Sequence, residues 1–298
     1  MKRGIHFLFG AKDNADDYKT IIDRFASVGF DCVELPPDPF LETPEKAVDI
    51  VKYAEAKNVE IVYSCGFDAA FDMASEDETI RQNGVRHLQE ILQVMDLAGI
   101  RLLGGTCYTK WPSYRTKPLS LTEKNSIIQR TAEVFSGAVT SLEDRGITVA
   151  LEPLNRFEGF LMNTAAEGVA FCDMVGNPNV GLMLDGFHMS VEEDDVIGSI
   201  AVAGKRLKHL HLAENNRKLP GLGCFPWEAF FSALKKIGYT GRLNIESFMT
   251  PEGSIAASVA LWRDLGLADE NQMLIDSLAF IDRQCVAAGL GIDSVLSV

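Results

Sequence analysis

The stretch Val180–Asp185 reads Val-Gly-Leu-Met-Leu-Asp, an apolar run of strand length that stops at a carboxylate. A second run, Leu207–Leu212, alternates imidazole and aliphatic side chains and carries His211 near its end. Each run has the length of a buried strand, and each ends in a side chain that can bind a metal or move a proton. The two runs therefore indicate strands whose carboxyl ends carry chemistry.

The same layout appears on both sides of this pair of runs. Residues 149–151 lead into Glu152, and residues 243–245 lead into Glu246. In a parallel barrel the carboxyl ends of the strands converge on one mouth, where barrel enzymes place their reacting groups. We therefore expect these two carboxylates to meet the first pair of side chains at one site.

Strand and helix patterns alternate along the rest of the chain, which is typical of a closed parallel sheet. No linker or break in composition divides the 298 residues. The sequence thus predicts an α/β fold, a single (β/α)8 TIM barrel domain over residues 1–298 with extra C-terminal helices at 254–265 and 271–288. The predicted strands are Ile5–Phe9, Cys32–Leu35, Glu60–Cys65, Arg101–Gly105, Ile147–Leu151, Val180–Leu184, Leu207–Leu212 and Arg242–Ile245.

The composition argues against several classes of function. Hydrophobic residues make up 47% of the chain, enough for a large core, and the formal net charge is −14. Nucleic-acid-binding proteins usually carry a basic surface, so this charge argues against DNA, RNA or an anionic membrane as partner. No apolar run approaches the about 20 residues that span a bilayer, and the first residues do not resemble a signal peptide.

The six cysteines are scattered along the chain and include no Cys-x-x-Cys pair. In a chain of this length the pattern predicts buried thiols in a reducing compartment, not a disulfide framework. We therefore expect a cytoplasmic protein.

Glu152, Asp185, His211 and Glu246 form the candidate metal site. Three carboxylates and one imidazole suit Mn²⁺, Co²⁺ or Mg²⁺ better than a structural zinc ion. Taken singly, an acidic residue after a strand is as well explained by capping a helix or pairing with an arginine. Four such residues at the ends of successive strands favour one metal ion.

Further polar side chains follow the same strands. Glu158 lies just beyond Glu152, His188 follows the sixth strand, and Arg217 follows the seventh. A fixed cation and an imidazole beside a metal suit a polyhydroxyl or carbonyl substrate and stabilise an oxyanion formed from it. We interpret His209 as a buried histidine with satisfied hydrogen bonds, or as one that supports the site through its neighbours, because it shares a strand face with His211.

These motifs resemble those of a known family. Residues Leu151–Glu158 resemble the Leu-Glu-x-x-Asn-Arg-Phe-Glu signature of the ketose 3-epimerases, and Leu184–Met189, His209–Leu212 and Ile245–Phe248 follow that family's pattern in the same order. The family comprises D-tagatose, D-psicose (D-allulose) and L-ribulose 3-epimerases. It belongs to the xylose isomerase-like TIM barrels, which also include endonuclease IV.

The resemblance implies specific roles for these residues. Glu152, Asp185, His211 and Glu246 would bind one divalent metal, typically Mn²⁺. Glu152 and Glu246 would exchange the proton at carbon 3 of a free ketose, on opposite faces of the sugar, through a metal-stabilised cis-enediolate. The substrate-binding residues would be Glu158, His188 and Arg217 at the oxygens of carbons 1 to 3, and Phe7, Trp111 and Phe248 as an apolar wall at the distal carbons. The resemblance also implies a homodimer or homotetramer.

Two positions depart from the family pattern. Gly186 stands where many relatives have threonine, which predicts a looser turn after the sixth strand. The loop Gly10–Ala15 lacks the tryptophan that many relatives place against the distal end of the sugar.

Two other reactions use related barrels. An aldose–ketose isomerase, similar to hydroxypyruvate isomerase or to the L-ribulose and rhamnose isomerases, would use the same enediolate but move the proton between carbons 1 and 2. A nuclease similar to endonuclease IV would need several zinc ions and many more histidines than the five in this chain. Both candidate acid/base glutamates are present, which argues against a barrel that only binds sugar.

Overall fold

Eight parallel strands close into one barrel in the order of the chain, as the sequence predicts. The structure is a computed structural model that describes residues 1–13, 17–266 and 268–292. Every strand pairs with its sequence neighbours, and β1 closes the barrel against β8. The strands are β1 Arg3–His6, β2 Cys32–Leu35, β3 Glu60–Phe67, β4 Leu102–Lys110, β5 Thr148–Leu151, β6 Val180–Asp185, β7 Leu207–Leu212 and β8 Leu243–Ile245.

Helices connect successive strands and surround the barrel. Asp77 caps the first turn of α3, and Gly99 ends that helix with a left-handed backbone, φ 77°, which glycine adopts without a steric penalty. The helices of the described residues are α1 Tyr18–Val28, α2 Pro44–Glu55, α3 Glu78–Ala98, α4 Leu121–Ala138, α5 Leu142–Arg145, α6 Ala165–Val175, α7 Gly186–Glu192, α8 Val196–Ala203, α9 Trp227–Ile237, α10 Gly253–Ser258 and α11 Glu270–Ala288, with short 3₁₀ turns at Asp38–Phe40, Ala69–Phe71 and Gly204–Arg206.

Alternation along the strands divides the core into two layers. Leu182 and Leu184 of β6 point outward and join the large core between the barrel and its helices. Met183 points inward and joins a small apolar cluster inside the barrel. That cluster lies toward the amino end of the barrel, and the candidate site residues lie beyond it at the carboxyl end. Its members are Cys32, Val62, Leu102, Ala150 and Met183.

Several element boundaries differ from the predicted ones. The strand predicted at Ile5–Phe9 ends at His6, and β4 continues past the predicted end at Gly105 to Lys110. The helix expected around residues 192–203 is α8, which begins at Val196 after its cap Asp195, and the short helix α7, capped by Asp185, precedes it without having been predicted. The tail helix predicted to reach residue 265 ends at 258.

Two expectations about single residues were wrong. Gly186 does not loosen the turn after β6: it begins α7, where a Cβ atom would lie 2.6 Å from the carbonyl oxygen of Ala213, so the position is tightly packed. Cys224 is exposed, against the expectation of buried thiols.

Positions 14 and 15 of the loop expected after β1 lie outside the described residues. Within the described residues, no helix is both long enough and apolar enough to cross a bilayer.

Arg3, at the amino end of β1, is the buried ion-pair partner of two carboxylates. Its Nε donates to Asp31 at 3.0 Å and its Nη1 donates to Asp282 at 2.9 Å, with the arginine side chain 1% exposed. We expect Arg3→Met to lower the free energy of unfolding by about 3 kcal/mol, because removal of one member leaves buried charge without its cation. Urea unfolding measures this change. Arg101→Met, which breaks an exposed pair with Asp96, should cost less than about 1 kcal/mol; equal losses in both variants would contradict this interpretation.

Candidate metal centre and active site

The four predicted ligands meet at the carboxyl end of the barrel. Glu152, Asp185, His211 and Glu246 each offer one ligand atom, and these atoms all lie within 4.8 Å of one another. His211 Nδ1 lies 3.7 Å from Glu152 Oε1, 3.8 Å from Asp185 Oδ2 and 3.3 Å from Glu246 Oε2. Strands β5 to β8, or the residues that directly follow them, supply these side chains, and a divalent ion requires such closeness of its ligands.

The ligand atoms have the free lone pairs that a metal needs. Glu152 Oε1, Asp185 Oδ2 and His211 Nδ1 are buried and find no hydrogen-bond partner among the described residues. The other oxygen of Asp185, Oδ1, accepts a 2.6 Å bond from the backbone N–H of Phe187, which turns Oδ2 toward the cluster. Buried polar atoms without partners are rare in folded proteins. Three of them facing one point fit a divalent cation coordinated by oxygen and imidazole.

Glu34 supports this cluster, and the sequence analysis missed it. The side chain lies inside the barrel with no exposed surface; its Oε2 accepts from His211 Nε2 at 2.8 Å and its Oε1 from His209 Nε2 at 3.1 Å. Because Nε2 of His211 is bonded to Glu34, Nδ1 is the nitrogen that faces the carboxylates. The available signal was a glutamate inside the otherwise apolar strand Cys32–Leu35. The expectation that His209 supports the site through its neighbours agrees with this geometry.

The carboxyl groups of the cluster differ in proton affinity. Burial raises the pKa of Glu152 well above its ordinary value and that of Asp185 to about 7, and the neighbouring carboxylates add to both shifts. Burial acts in the same direction on Glu246, but the charges of His211 and Arg217 outweigh it and hold its pKa well below the ordinary value. Burial opposes protonation of His211, yet its pKa is raised because Glu34 and Glu246 lie beside it. The cluster therefore contains both an acid and a base.

Arg217 is held rigidly over Glu246. Its Nη2 donates to Glu246 Oε2 at 2.6 Å, and its guanidinium lies between the rings of Phe187 and Phe248, 4.5 and 5.1 Å from their centroids. Its backbone has φ 64°, a left-handed conformation that is strained for a residue with a long side chain. Backbone strain of this kind is concentrated at active sites and ligand-binding sites, where a side chain has to be held in one position.

His188 presents an N–H group to the cluster. The backbone N–H of Asn155 donates to His188 Nδ1 at 3.2 Å, and the side-chain amide nitrogen of Asn155 lies 2.8 Å from the same atom, so in the neutral ring the proton is on Nε2. Arg217 Nη1, which can only donate, lies 3.3 Å from Nε2, and this approach is therefore a contact between two donors and not a hydrogen bond. Burial and the charge of Arg217 keep the pKa of His188 well below its ordinary value, which favours the neutral ring. Nε2 lies 3.9 Å from Glu152 Oε1. Asn155 also donates to Glu158 Oε1 at 2.8 Å and so connects two of the predicted substrate-binding residues.

A cavity of about 270 Å³ lies directly above the cluster. Eight of the ten predicted site residues line it, and the other two, Asp185 and His211, lie beneath its floor with 1% of their surface exposed. Trp111 Nε1 donates to Glu158 Oε2 at 3.1 Å on one side of the cavity. His6 also lines the cavity, with its ring centroid 6.2 Å from that of His211. The predicted residues thus belong to one pocket.

Proteins similar to this chain in sequence and in fold include several ketose 3-epimerases. The xylose isomerase-like TIM barrel family model matches residues 22–265. The chain is 34% identical to D-psicose 3-epimerase of Ruminiclostridium cellulolyticum, over 97% of this chain and 95% of that protein. It is 31% identical to L-ribulose 3-epimerase of Methylomonas sp., over 95% of this chain and 98% of that protein.

The structural comparison agrees. A crystal structure of D-psicose 3-epimerase with D-tagatose, from Clostridium cellulolyticum H10, superimposes with a TM-score of 0.90 at 33% identity, covering 95% of this chain and 99% of that one. These matches confirm the resemblance predicted from the motifs. The chain therefore belongs to the ketose 3-epimerase family within the xylose isomerase-like TIM barrels and is an isomerase.

Proposed function

We propose that this protein epimerises a free ketohexose or ketopentose at carbon 3 with the aid of one divalent metal ion, Mn²⁺ in the first place. The observation that carries the proposal is the pairing of Glu152 with Glu246. Two buried carboxyl groups with opposite pKa shifts, from the carboxyl ends of different strands, border one cavity above a four-ligand cluster. Inversion of a carbon that bears a hydrogen requires a base on one face and an acid on the other.

The metal would be held by Glu152, Asp185, His211 and Glu246. When bound, it would supply Lewis acidity at the oxygens of carbons 2 and 3, which lowers the free energy of the enediolate. The fit of the site to this ion rests on the three buried ligand atoms that lack other partners among the described residues.

The protein's own groups account for the proton exchange. Glu246 and Glu152 exchange the proton at carbon 3 from opposite faces of the sugar: the carboxylate of one takes the proton, and the carboxyl group of the other returns one. The two roles exchange in the reverse reaction. Arg217, fixed between two aromatic rings, keeps Glu246 ionised and places a cation beside the negative charge that develops on the substrate.

The remaining side chains hold the reacting end of the sugar. His188 offers its Nε2–H to the oxygen at carbon 2 or 3, and Glu158 accepts from a hydroxyl at carbon 1. Phe7 and Phe248 are less than a tenth exposed and shield the reacting carbon from water. An enediolate in contact with water can be protonated at the wrong carbon or eliminate a hydroxyl group, so this shielding serves the reaction.

The reaction is tested by incubating the protein and Mn²⁺ with D-fructose, D-tagatose, D-psicose and L-ribulose in D₂O. We expect the carbon-3 epimer of at least one ketose, with solvent deuterium at carbon 3. Glu246→Gln, which keeps the size of the side chain, should lower kcat by at least about 10²–10⁴-fold because it removes the base. Circular dichroism should show an unchanged fold.

Glu228→Gln is the matched control, because Glu228 is an exposed carboxylate on α9. Its activity should equal that of the parent protein. Aldose products with deuterium at carbon 1 or 2 alone would identify an aldose–ketose isomerase instead. Near-normal activity of Glu246→Gln would rule out the assignment of the base.

Removal of the negative charge of Glu34, which accepts a hydrogen bond from His211, is expected to weaken metal binding. Glu34→Gln keeps the shape of the buried side chain, but an amide cannot accept from both His209 and His211, so His211 Nδ1 is less well directed at the carboxylates. We expect Mn²⁺ affinity to fall about 10–100-fold. Titration of free Mn²⁺ by electron paramagnetic resonance measures this without turnover. Unchanged affinity would show that Glu34 does not act through His211.

Metal binding should also depend on pH in a defined direction. His211 and Glu152 have raised pKa values and that of Asp185 is about 7, so protons compete with the metal for these atoms below neutral pH. Mn²⁺ affinity should therefore rise as pH increases from about 5.5 to 8, with protons released on binding. Calorimetry in two buffers of different ionisation enthalpy counts these protons. An affinity that is constant over this range would contradict the pKa shifts.

A further inference from the structure

The cavity has a polar side that the proposed chemistry does not use. The metal ligands come from the β5–β8 half of the barrel, whereas Asp38, Ser64 and Thr106 line the cavity from the ends of β2, β3 and β4. Ser64 and Thr106 are buried, with 8% and 3% of their surface exposed. The closed barrel sets β2, β3 and β4 opposite β6, β7 and β8. These three side chains therefore lie across the cavity from most of the candidate metal ligands.

Thr106 carries a buried hydroxyl that lacks a partner. Its Oγ1 finds no hydrogen bond among the described residues, although the side chain is 3% exposed. Thr106 lines the cavity, and its Oγ1 would lie 3.0 Å from a Cβ atom built on Gly66, another cavity-lining residue, so the hydroxyl lies on the cavity side of β4. Buried hydroxyl groups are nearly always hydrogen-bonded, and a ligand in the cavity can supply this bond.

Asp38 is a carboxylate fixed at the rim of the same side. Its Oδ1 lies 3.1 Å from His87 Nε2, which leaves Oδ2 to accept a bond from a hydroxyl group. The ring of His87 is itself immobilised: it stacks on Phe71 at 4.0 Å with 4° between the planes and meets the edge of Phe67 at 5.0 Å. The immobilised ring of His87 thus fixes the orientation of the Asp38 carboxylate. A fixed orientation is expected of a side chain that accepts a hydrogen bond from a specific ligand.

The proposed function sets the direction in which the substrate extends. Carbons 2 and 3 lie between Glu152 and Glu246, and Glu158 and Arg217 hold the oxygens of carbons 1 to 3. The chain of carbons 4 to 6 is then directed toward the ends of β2 to β4. Phe7 and Phe248 cover its apolar C–H groups, while the polar side remains for its hydroxyl groups.

We propose that Asp38, Ser64 and Thr106 form a distal subsite that binds the hydroxyl groups at carbons 4 to 6 of a ketohexose. This inference rests on the proposed function. Asp38 side-chain atoms are 58% exposed and lie at the rim, so Asp38 accepts from the terminal hydroxyl at carbon 6. Thr106, deeper in the cavity, binds a hydroxyl nearer to the metal ligands. The subsite selects sugars that carry a hydroxyl at carbon 6 over those that lack it.

The test of Asp38 compares D-psicose with 6-deoxy-D-psicose on the Mn²⁺-loaded protein. We expect Asp38→Ala to reduce the ratio of the two kcat/KM values, D-psicose over its 6-deoxy analogue, by about tenfold, since a bond from a hydroxyl to a carboxylate is lost. Activity on the 6-deoxy sugar should change less than about twofold. Glu42→Ala, which removes an exposed carboxylate shortly after Asp38, should leave the ratio unchanged.

A second pair of variants tests Thr106. Thr106→Val should raise KM for D-psicose and lower kcat/KM about three- to tenfold, because one neutral hydrogen bond to the sugar is lost. The melting temperature should stay the same or rise, since the substitution removes a buried hydroxyl that has no hydrogen-bond partner in the part of the chain that the structure describes. Thr106→Ser keeps the hydroxyl and should retain most of the activity. A purely structural threonine would lower the melting temperature instead.

Binding measurements separate this inference from the proposed function. Calorimetric dissociation constants of the two sugars require no turnover. A parent protein that binds D-psicose about tenfold more tightly than its 6-deoxy analogue, with the difference lost in Asp38→Ala, supports the subsite even if no epimer forms. Equal affinities for the two sugars in the parent protein, or an equal loss for both in Asp38→Ala, would overturn it.

Discussion

Three carboxylates and one imidazole share a buried space in which their ligand atoms lie within 4.8 Å of one another. Like charges at this separation, out of contact with water, repel strongly, and burial further penalises each ionised group. The protein offsets part of this repulsion with Arg217, which bonds to Glu246, and with a raised pKa at Glu152 that keeps a proton there. A divalent cation bound by the four ligand atoms would reduce the repulsion that remains among the carboxylates.

The surroundings of the cluster follow from the same constraint. Glu34 adds a further buried negative charge, and it is stable there because two imidazoles donate to it. Arg217 reaches Glu246 from the segment that follows β7. The left-handed backbone of Arg217 is strained, and this strain accompanies the position of its side chain beside Glu246. The opposite end of the barrel is filled by an apolar cluster and by the ion pairs of Arg3, so stability and chemistry occupy different ends.

The sequence predicted the barrel and the four residues that cluster at its mouth because both depend on local order. An apolar run that stops at Asp185 reports the end of a strand, and parallel strands bring such ends together. The support from Glu34 was not predictable in this way, because its bond to His211 spans 177 residues across the barrel. The predicted end of the fourth strand at Gly105 was also wrong. Gly105 adopts a φ of 106°, which glycine allows, and β4 continues past it in close contact with Cys65.

The two halves of the mouth are subject to different constraints. On the β5–β8 half, a change of any charged ligand alters the balance among all the others, since each pKa depends on its neighbours. On the other half, Asp38 depends on His87 and its aromatic support, which stand outside that balance. Substrate preference can therefore change by substitution near β2 to β4 without disturbing the acid/base pair. The similar proteins are named after different ketoses, which agrees with such a separation.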